Sequence, residues 1–217
     1  MKLDFLRKIQ LDQLLFFFSG GKDSIVMLDL ITKYTNIKKI IGVFLYFIPN
    51  LIYKNEIISY YSKKYNVEIK QIPHPDYFIY QQNEVYGREN NLDRKYTQTE
   101  LKLGNYQAYI KKKFGIEWGA IGYKRSDSIT RARQFYKYTA IDTKHKYIYP
   151  VAYFTDNDIY FYLKKNKLKL PAEYANDFKG DITTPFSQEI LLFLKQNYES
   201  DYDKIMETFP QLESIFV

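Results

Sequence analysis

The 217-residue chain contains no cysteine. That absence excludes disulfides, thiolate metal sites, cysteine-ligated iron–sulfur clusters and cysteine nucleophiles within these residues. Histidine is nearly missing as well, with only His74 and His145, and neither has metal-ligand spacing to another histidine or to an acid cluster. His74 stands between two prolines at a loop edge, and His145 reads as part of a solvated loop. No run of about 18 apolar residues suggests a membrane span. The opening MKLDFLRKIQLDQ carries two acids and no sustained apolar core, so it is not expected to act as a secretory signal. The expectation is a soluble, cytoplasmic protein without a membrane partner.

What is present is enough for one large domain, or one domain with a C-terminal appendage: 46% of the residues are apolar, which is sufficient for a sizeable core. Lysine and arginine exceed the acids by 32 to 25, a formal charge of +7, which favours anionic partners such as nucleotide phosphate, nucleic acid or anionic lipid. The 23 tyrosines read either as stacking platforms for single-stranded nucleic acid or as the product of AT-rich codon usage.

Periodicity organises the chain into alternating elements. Leu3, Leu6 and Ile9 carry a helical spacing. Leu14 to Phe18 is a continuous apolar run, as in a strand buried on both faces, and a helix follows the Gly-Gly break and fades near Thr35 and Asn36. KKIIGVFLYF, YKNEIISYYSKKYN and VEIKQI continue as strand, helix and strand. This βαβαβ order predicts an α/β fold with an open, mostly parallel five-stranded sheet, helices on both faces and ligands at its carboxyl edge. Tyr77 to about Leu103 is polar and reads as a long loop with irregular helix. GNYQAYIKKKFG then predicts a helix, EWGAIGY a fourth strand, KRSDS a turn before a helix from Ile129, and KYIYPVAYF a fifth short strand or an extended segment. Thr155 and Asp158 mark a helix N-terminus in a near capping box, and a helical extension begins at Ser187. The expected division is 1–175 for the α/β domain and 176–217 for the extension.

The chemistry concentrates at Ser19, Gly20, Gly21, Lys22, Asp23 and Ser24, between a buried strand and a helix. Glycines let backbone N–H groups close on an anion, the helix start adds partial positive charge, and Lys22 adds a cation. Asp23 is repulsive toward phosphate unless a cation lies between them, which points to magnesium on a polyphosphate. Walker A spacing is absent, because no glycine stands five residues before Gly21.

FSGGKDSIVMLDL resembles the PP-loop of the ATP pyrophosphatase, or adenine nucleotide alpha-hydrolase-like, superfamily, whose fold is Rossmann-like and of the HUP class. The resemblance is to the branch that holds phosphoadenosine phosphosulfate (PAPS) reductases and the small subunit of bacterial ATP sulfurylase, in its phage-type form but without cysteines. GYKRSDSITR, from Gly122 to Arg131, is similar to that branch's G-x-R-x-x-E-S-x-x-R. Gly122, Ser128 and Arg131 match, while Lys124 and Asp127 stand for Arg and Glu, with Arg125 beside Lys124. The substitutions keep both charges but lose the planar fork of arginine. YPVAYFTDNDIYFYLKKNKLKLPAEY looks like a third family segment. Where many members of the branch carry C-x-x-C-P, this chain has Asp181 and Thr184 before Pro185 in GDITTPF.

The resemblance implies binding of MgATP, or of a PAPS- or APS-like adenine nucleotide, with adenylyl transfer or alpha-beta phosphate cleavage and release of pyrophosphate. Asp23 would contact magnesium, the loop amides with Ser19 and Ser24 would hold pyrophosphate, and Lys124, Arg125 and Arg131 would neutralise phosphate. Lys22, Asp23, Lys124 and Arg131 are the expected catalytic set, with Gly122, Asp127 and Ser128 in the nucleotide site. Thiol-dependent sulfonucleotide reduction within this chain is excluded by its missing cysteine. Two alternatives stay open: a nucleotide-binding subunit without catalysis, as a homo-oligomer, in a larger assembly or in a virion if phage-encoded, and an enzyme that modifies nucleic acid.

Overall fold

The computed structural model describes residues 3–77, 102–174 and 186–216. The strands are β1 (Gln13–Phe17), β2 (Lys39–Tyr46), β3 (Glu68–Pro73), β4 (Gly119–Ala120), β5 (Ile141–Asp142) and β6 (Tyr147–Ile148). The helices are α1 (Lys22–Tyr34), α2 (Ile52–Tyr65), α3 (Leu103–Phe114), α4 (Ile129–Tyr138), α5 (Asp156–Lys165), α6 (Gln188–Asn197) and α7 (Glu199–Thr208). The fold is α/β with an open, mostly parallel sheet in the order β3-β2-β1-β4-β6-β5. The sheet has one strand more than the spacing predicts, because the chain before β6 turns back as β5, antiparallel to it. The helical spacing of Leu3, Leu6 and Ile9 yields only a single 3-10 turn over Leu6–Lys8. Of its three apolar residues only Leu6 is fully buried, too little apolar contact to hold a longer helix.

The described residues fall into two compact units, divided within Met1–Leu45, Ile57–Ile72 and Tyr109–Leu170 for the first and Tyr46–Glu56, Pro73–Ala108 and Pro171–Val217 for the second. The boundary expected at residue 175, the GDITTP stretch with Asp181 and Thr184, and most of the polar segment after Tyr77 lie outside the described residues.

In the first unit β1 supplies the central strand. Leu14, Leu15 and Phe16 have no exposed surface, as expected for a strand covered on both faces. Its neighbours make room for aromatic rings by carrying glycine. Gly42 pairs with Phe16, and a Cβ there would stand 2.7 Å from Phe16 Cζ and 2.8 Å from Ile69 Cγ1. Gly119 pairs with Tyr147, whose ring would lie 2.6 Å from a Cβ at Gly119, and the Lys111 ammonium sits 3.8 Å over the centre of that ring.

Helix α1 is apolar nearly all round and fully buried at Asp29. That carboxylate accepts a hydrogen bond from the Tyr65 hydroxyl of α2 and one of 2.6 Å from Tyr162 of α5, and pairs with Lys33 at 2.9 Å. Burial, followed by the bond to Asp29, pushes both phenols well above their ordinary range.

The second unit has its own core of Ile48, Leu51, Tyr53, Phe186, Leu191 and Phe209. There the Asp201 carboxylate accepts from the Ile52 and Tyr53 amides at 2.9 and 3.0 Å, capping the start of α2, and buried Glu173 pairs with Lys54 at 2.7 Å. None of the described helices is long and apolar enough to cross a membrane.

Gly42→Ala is expected to destabilise the fold by about 1–3 kcal/mol through overpacking, read as a lower urea midpoint. Adding Phe16→Leu, which removes the ring the new methyl meets, should recover part of that loss; additive losses would show that the two positions do not share one space.

Candidate active site at the carboxyl edge of the sheet

The strand order reverses at β1, which has β2 on one side and β4, parallel to it, on the other. The segments leaving the carboxyl ends of β1 and β4 therefore emerge side by side, the position at which open α/β sheets bind ligands. These segments are Phe18 to Ser24 and Ile121 to Ser128. Gly122 brings them together: a Cβ there would lie 3.5 Å from the Asp23 carbonyl carbon and the Ser24 nitrogen.

Local bonds shape the first loop. Gly20 adopts φ +77°, a region open to glycine but strained for other residues. The Ser19 hydroxyl accepts from the Gly21 amide at 3.3 Å and donates to Ser24 Oγ at 3.2 Å, while Ser24 Oγ donates to the Gly21 carbonyl at 2.8 Å. Ser24 is buried and its proton is committed inside the loop. No side chain caps the start of α1, where first-turn amides point outward from the helix end.

The second segment adds a buried ammonium. Lys124, with a side chain 3% exposed, lies 2.9 Å from Asp23 Oδ2, 2.8 Å from Asp127 Oδ1 and 3.6 Å from Asp156 Oδ1. Asp127 also takes the Lys124 amide on Oδ2 at 2.7 Å, so one carboxylate fixes both the backbone and the side chain of the lysine. Lys22 stands 3.2 Å from Asp23 Oδ2 and 3.2 Å from Asp156 Oδ1. The two ammonium groups and the carboxylates of Asp23 and Asp156 thus alternate around a closed ring.

Burial opposes the charge on both lysines, but the attraction of Asp23 and Asp156 on Lys22, and of Asp127 and Asp23 on Lys124, outweighs it and raises both above their ordinary value. Burial likewise pushes the Asp156 carboxyl up, and Lys22 with Lys124 overrides it and holds the group below the usual carboxylate range.

The structure gathers Ser19 to Ser24, Gly122, Lys124 and Asp127 and leaves the two arginines outside the ring. Arg131 lies 3.4 Å over the Tyr123 ring and donates to Gln134 Oε1 at 2.6 Å. Arg125 is exposed, and its amide donates to the Ala152 carbonyl at 2.8 Å. Ser128 caps α4, accepting from the Arg131 amide at 3.1 Å. Asp156 is the member that sequence reasoning missed. The Thr155–Asp158 cap, with bonds of 2.7 and 3.2 Å between them, marks the helix start that carries Asp156, but nothing local tells that its carboxylate meets Lys22.

The two histidines sit elsewhere. His74 stacks on Phe47 at 4.3 Å in the second unit. His145 holds a turn through Asp142, with Nδ1 2.7 Å from Oδ2. Burial pushes the Asp142 carboxyl up, and its bonds to His145 hold it below the usual range.

A model of the phosphoadenosine phosphosulfate reductase domain matches residues 13–184. The chain belongs to that family. Its fold is that of the PP-loop, adenine nucleotide alpha-hydrolase-like superfamily. The U34-tRNA thiolase NcsA from Methanococcus maripaludis, solved with its [4Fe-4S] cluster, is 17% identical with a TM-score of 0.52, over 98% of this chain and 78% of the thiolase. At that identity the likeness is one of fold. A PAPS reductase from Candida auris in complex with phosphate shares 13% identity at a TM-score of 0.48, over 77% of this chain and 79% of the reductase. An NH3-dependent NAD synthetase from Campylobacter jejuni in complex with nitrate shares 16% at the same score, over 98% and 89%. No curated protein matches the sequence.

The donors around Asp23 fit a divalent cation of the magnesium type. Asp23 Oδ1 is buried without a hydrogen-bond partner, and no group of three or more acids or histidines able to hold a metal occurs among the described residues. A lone carboxylate oxygen of this kind does not suit an all-protein cage; it suits an ion that takes one or two carboxylates and keeps the rest of its shell as water or ligand oxygens.

Lys124→Ala is expected to cost about 1–3 kcal/mol, because Asp23 and Asp127 lose the buried cation they share, while the partial exposure of both carboxylates and the pairing of Asp23 with Lys22 limit the loss. A lysine raised above its unfolded value of 10.5 contributes stability that is complete below that pH and is lost as pH rises through the higher folded value. The gap between wild type and variant in urea melts should therefore stay constant from about pH 6 to 9 and close only at more alkaline pH.

Proposed function

We propose that the chain binds MgATP or a related adenine nucleotide at Ser19 to Ser24 and transfers its adenylyl group. A nucleophile forms a bond to the alpha phosphorus, the bond from that phosphorus to the bridging oxygen breaks, and pyrophosphate leaves with the electron pair. The observation that carries this reading is the ring of Lys22, Asp23, Lys124 and Asp156 between two parallel strand ends. Two ammonium groups there face three carboxylates, counting Asp127, so the cluster alone is a poor counter-charge for a polyphosphate and needs a divalent cation in addition.

Asp23 would hold that cation through Oδ1. Magnesium, when bound, neutralises phosphate charge as it builds on the leaving group. The chain's own residues do the rest. The Gly20–Gly21 turn and the first amides of α1 receive phosphate oxygens, Lys22 reaches the leaving pyrophosphate, and Lys124 holds Asp23 in place and adds positive charge behind it. An anionic acceptor such as sulfate needs no general base. Thiol-dependent reduction finds no nucleophile in the 217 residues, which contain no cysteine.

A specific feature favours nucleic acid as an alternative acceptor. Helix α4 exposes Arg133, Ile129 and Tyr136 and carries no acid, a mixture of cation and ring that suits single strands. If that surface binds nucleic acid, a tRNA or single-stranded DNA gel shift should weaken steeply as salt rises; absence of a shift even at low salt removes this alternative.

The deciding experiment is calorimetric titration with MgATP alongside pyrophosphate release in the presence of sulfate, tRNA or DNA. Asp23→Ala should weaken MgATP binding roughly 10-fold or more, the scale on which metal-site partners act, and abolish release. Wild-type affinity and turnover in Asp23→Ala would remove the assignment. Binding without release for any acceptor would mark a nucleotide-binding module that lacks the reaction.

A further inference from the structure

Asp156 has no counterpart among the residues that the loop chemistry demands, yet it closes the ring. Its Oδ1 lies 3.2 Å from Lys22 Nζ and 3.6 Å from Lys124 Nζ, and its side chain is 64% exposed where that of Lys22 is 20% exposed. Lys22 thus has one inner partner, Asp23, and one at the solvent edge, Asp156, whereas Lys124 is already held by Asp23 and Asp127 and reaches Asp156 only at the longer distance. The Asp156 backbone is set independently of these pairs, since Thr155 and Asp158 cap α5 reciprocally. Nothing in the helix start requires an acid at this position, although an acid in a first turn is favourable there.

We propose that Asp156 is a positioning residue acting through Lys22: its carboxylate occupies the place on the Lys22 ammonium that a nucleotide phosphate oxygen takes on binding. The reasoning is one of charge and access. A lysine beside Asp23 alone could turn toward solvent or collapse onto that single carboxylate; a second carboxylate on its outer side holds the ammonium across the loop. The outer carboxylate is exposed and tied by weak pairs, so it leaves at little cost when a phosphate arrives, and its departure removes a negative charge that would repel the phosphate. This inference rests on the proposed nucleotide site.

The test compares wild type with Asp156→Asn and Asp156→Glu by two readouts. The first is MgATP affinity by calorimetry. The second needs no nucleotide: the rate at which acetic anhydride acylates Lys22, followed by peptide mass spectrometry. Asp156→Asn should bind MgATP about two- to fivefold more tightly and expose Lys22 to acylation by a similar factor, the range set by an exposed ion pair. Asp156→Glu, which keeps the carboxylate, should stay near wild type in both. A merely structural role would not change MgATP affinity and Lys22 acylation together in this direction.

Tighter binding with unchanged acylation would mean that the charge acts at a distance and not through Lys22, and would overturn the proposal. Faster acylation without tighter binding would overturn the exchange. Failure of wild type and variant alike to bind MgATP would overturn the nucleotide reading and this exchange with it, whereas normal wild-type binding with an unaltered Asp156→Asn would overturn the exchange alone.

Discussion

A lysine ammonium almost wholly withdrawn from water requires counter-charge within a few ångströms, and Lys124 meets that requirement from two directions. Asp127 answers from its own turn and Asp23 from the loop after β1. The pairing ties the segment after β4 to the segment after β1, and the close approach at Gly122 leaves no side chain between them. Remove the ammonium and two carboxylates face each other across that contact. The approach of these two segments therefore depends on one buried cation, and the choice of lysine suits it. A compact ammonium can serve carboxylates on several sides, where the guanidinium fork of the family pattern would favour one planar partner.

The placement of that cation depends in turn on the sheet. β1 can carry its loop to the reversal point because it is buried on both faces and its neighbour β2 has glycine where the Phe16 ring lies. β4 is only two residues long, but its register against β1 and β6 is set on both sides. Short strands suffice when the glycine of one strand receives the ring of the next.

Much of this was legible in the sequence, for reasons that are local. The apolar run before Gly20, the glycine pair and the apolar helix after it define strand, loop and helix without reference to the rest of the chain. The segment from Gly122 to Arg131 is readable through its resemblance to the branch's motif after the fourth strand, since its local pattern alone is that of a basic turn before a helix. The directions of long side chains were not legible. Arg131 counts as positive charge in a string of letters, yet its guanidinium is taken up by Tyr123 and Gln134. Asp156 was hidden behind its own helix cap, since Thr155 and Asp158 account for the local pattern and its link to Lys22 spans more than a hundred residues. Leu3, Leu6 and Ile9 show the reverse error, a helical spacing with too little burial to sustain more than one turn.

Asp29 carries a further consequence. It sits two turns into α1, the helix whose first turn forms the loop, and takes hydroxyl groups from α2 and α5 on its two carboxylate oxygens. A helix tied at one buried carboxylate to partners on two other helices cannot roll about its axis or slide along it without breaking two hydrogen bonds to that carboxylate. The loop at its head is accordingly a fixed abutment, and the freedom to adapt to a ligand belongs to the tips of side chains that reach it, not to the backbone that receives the load.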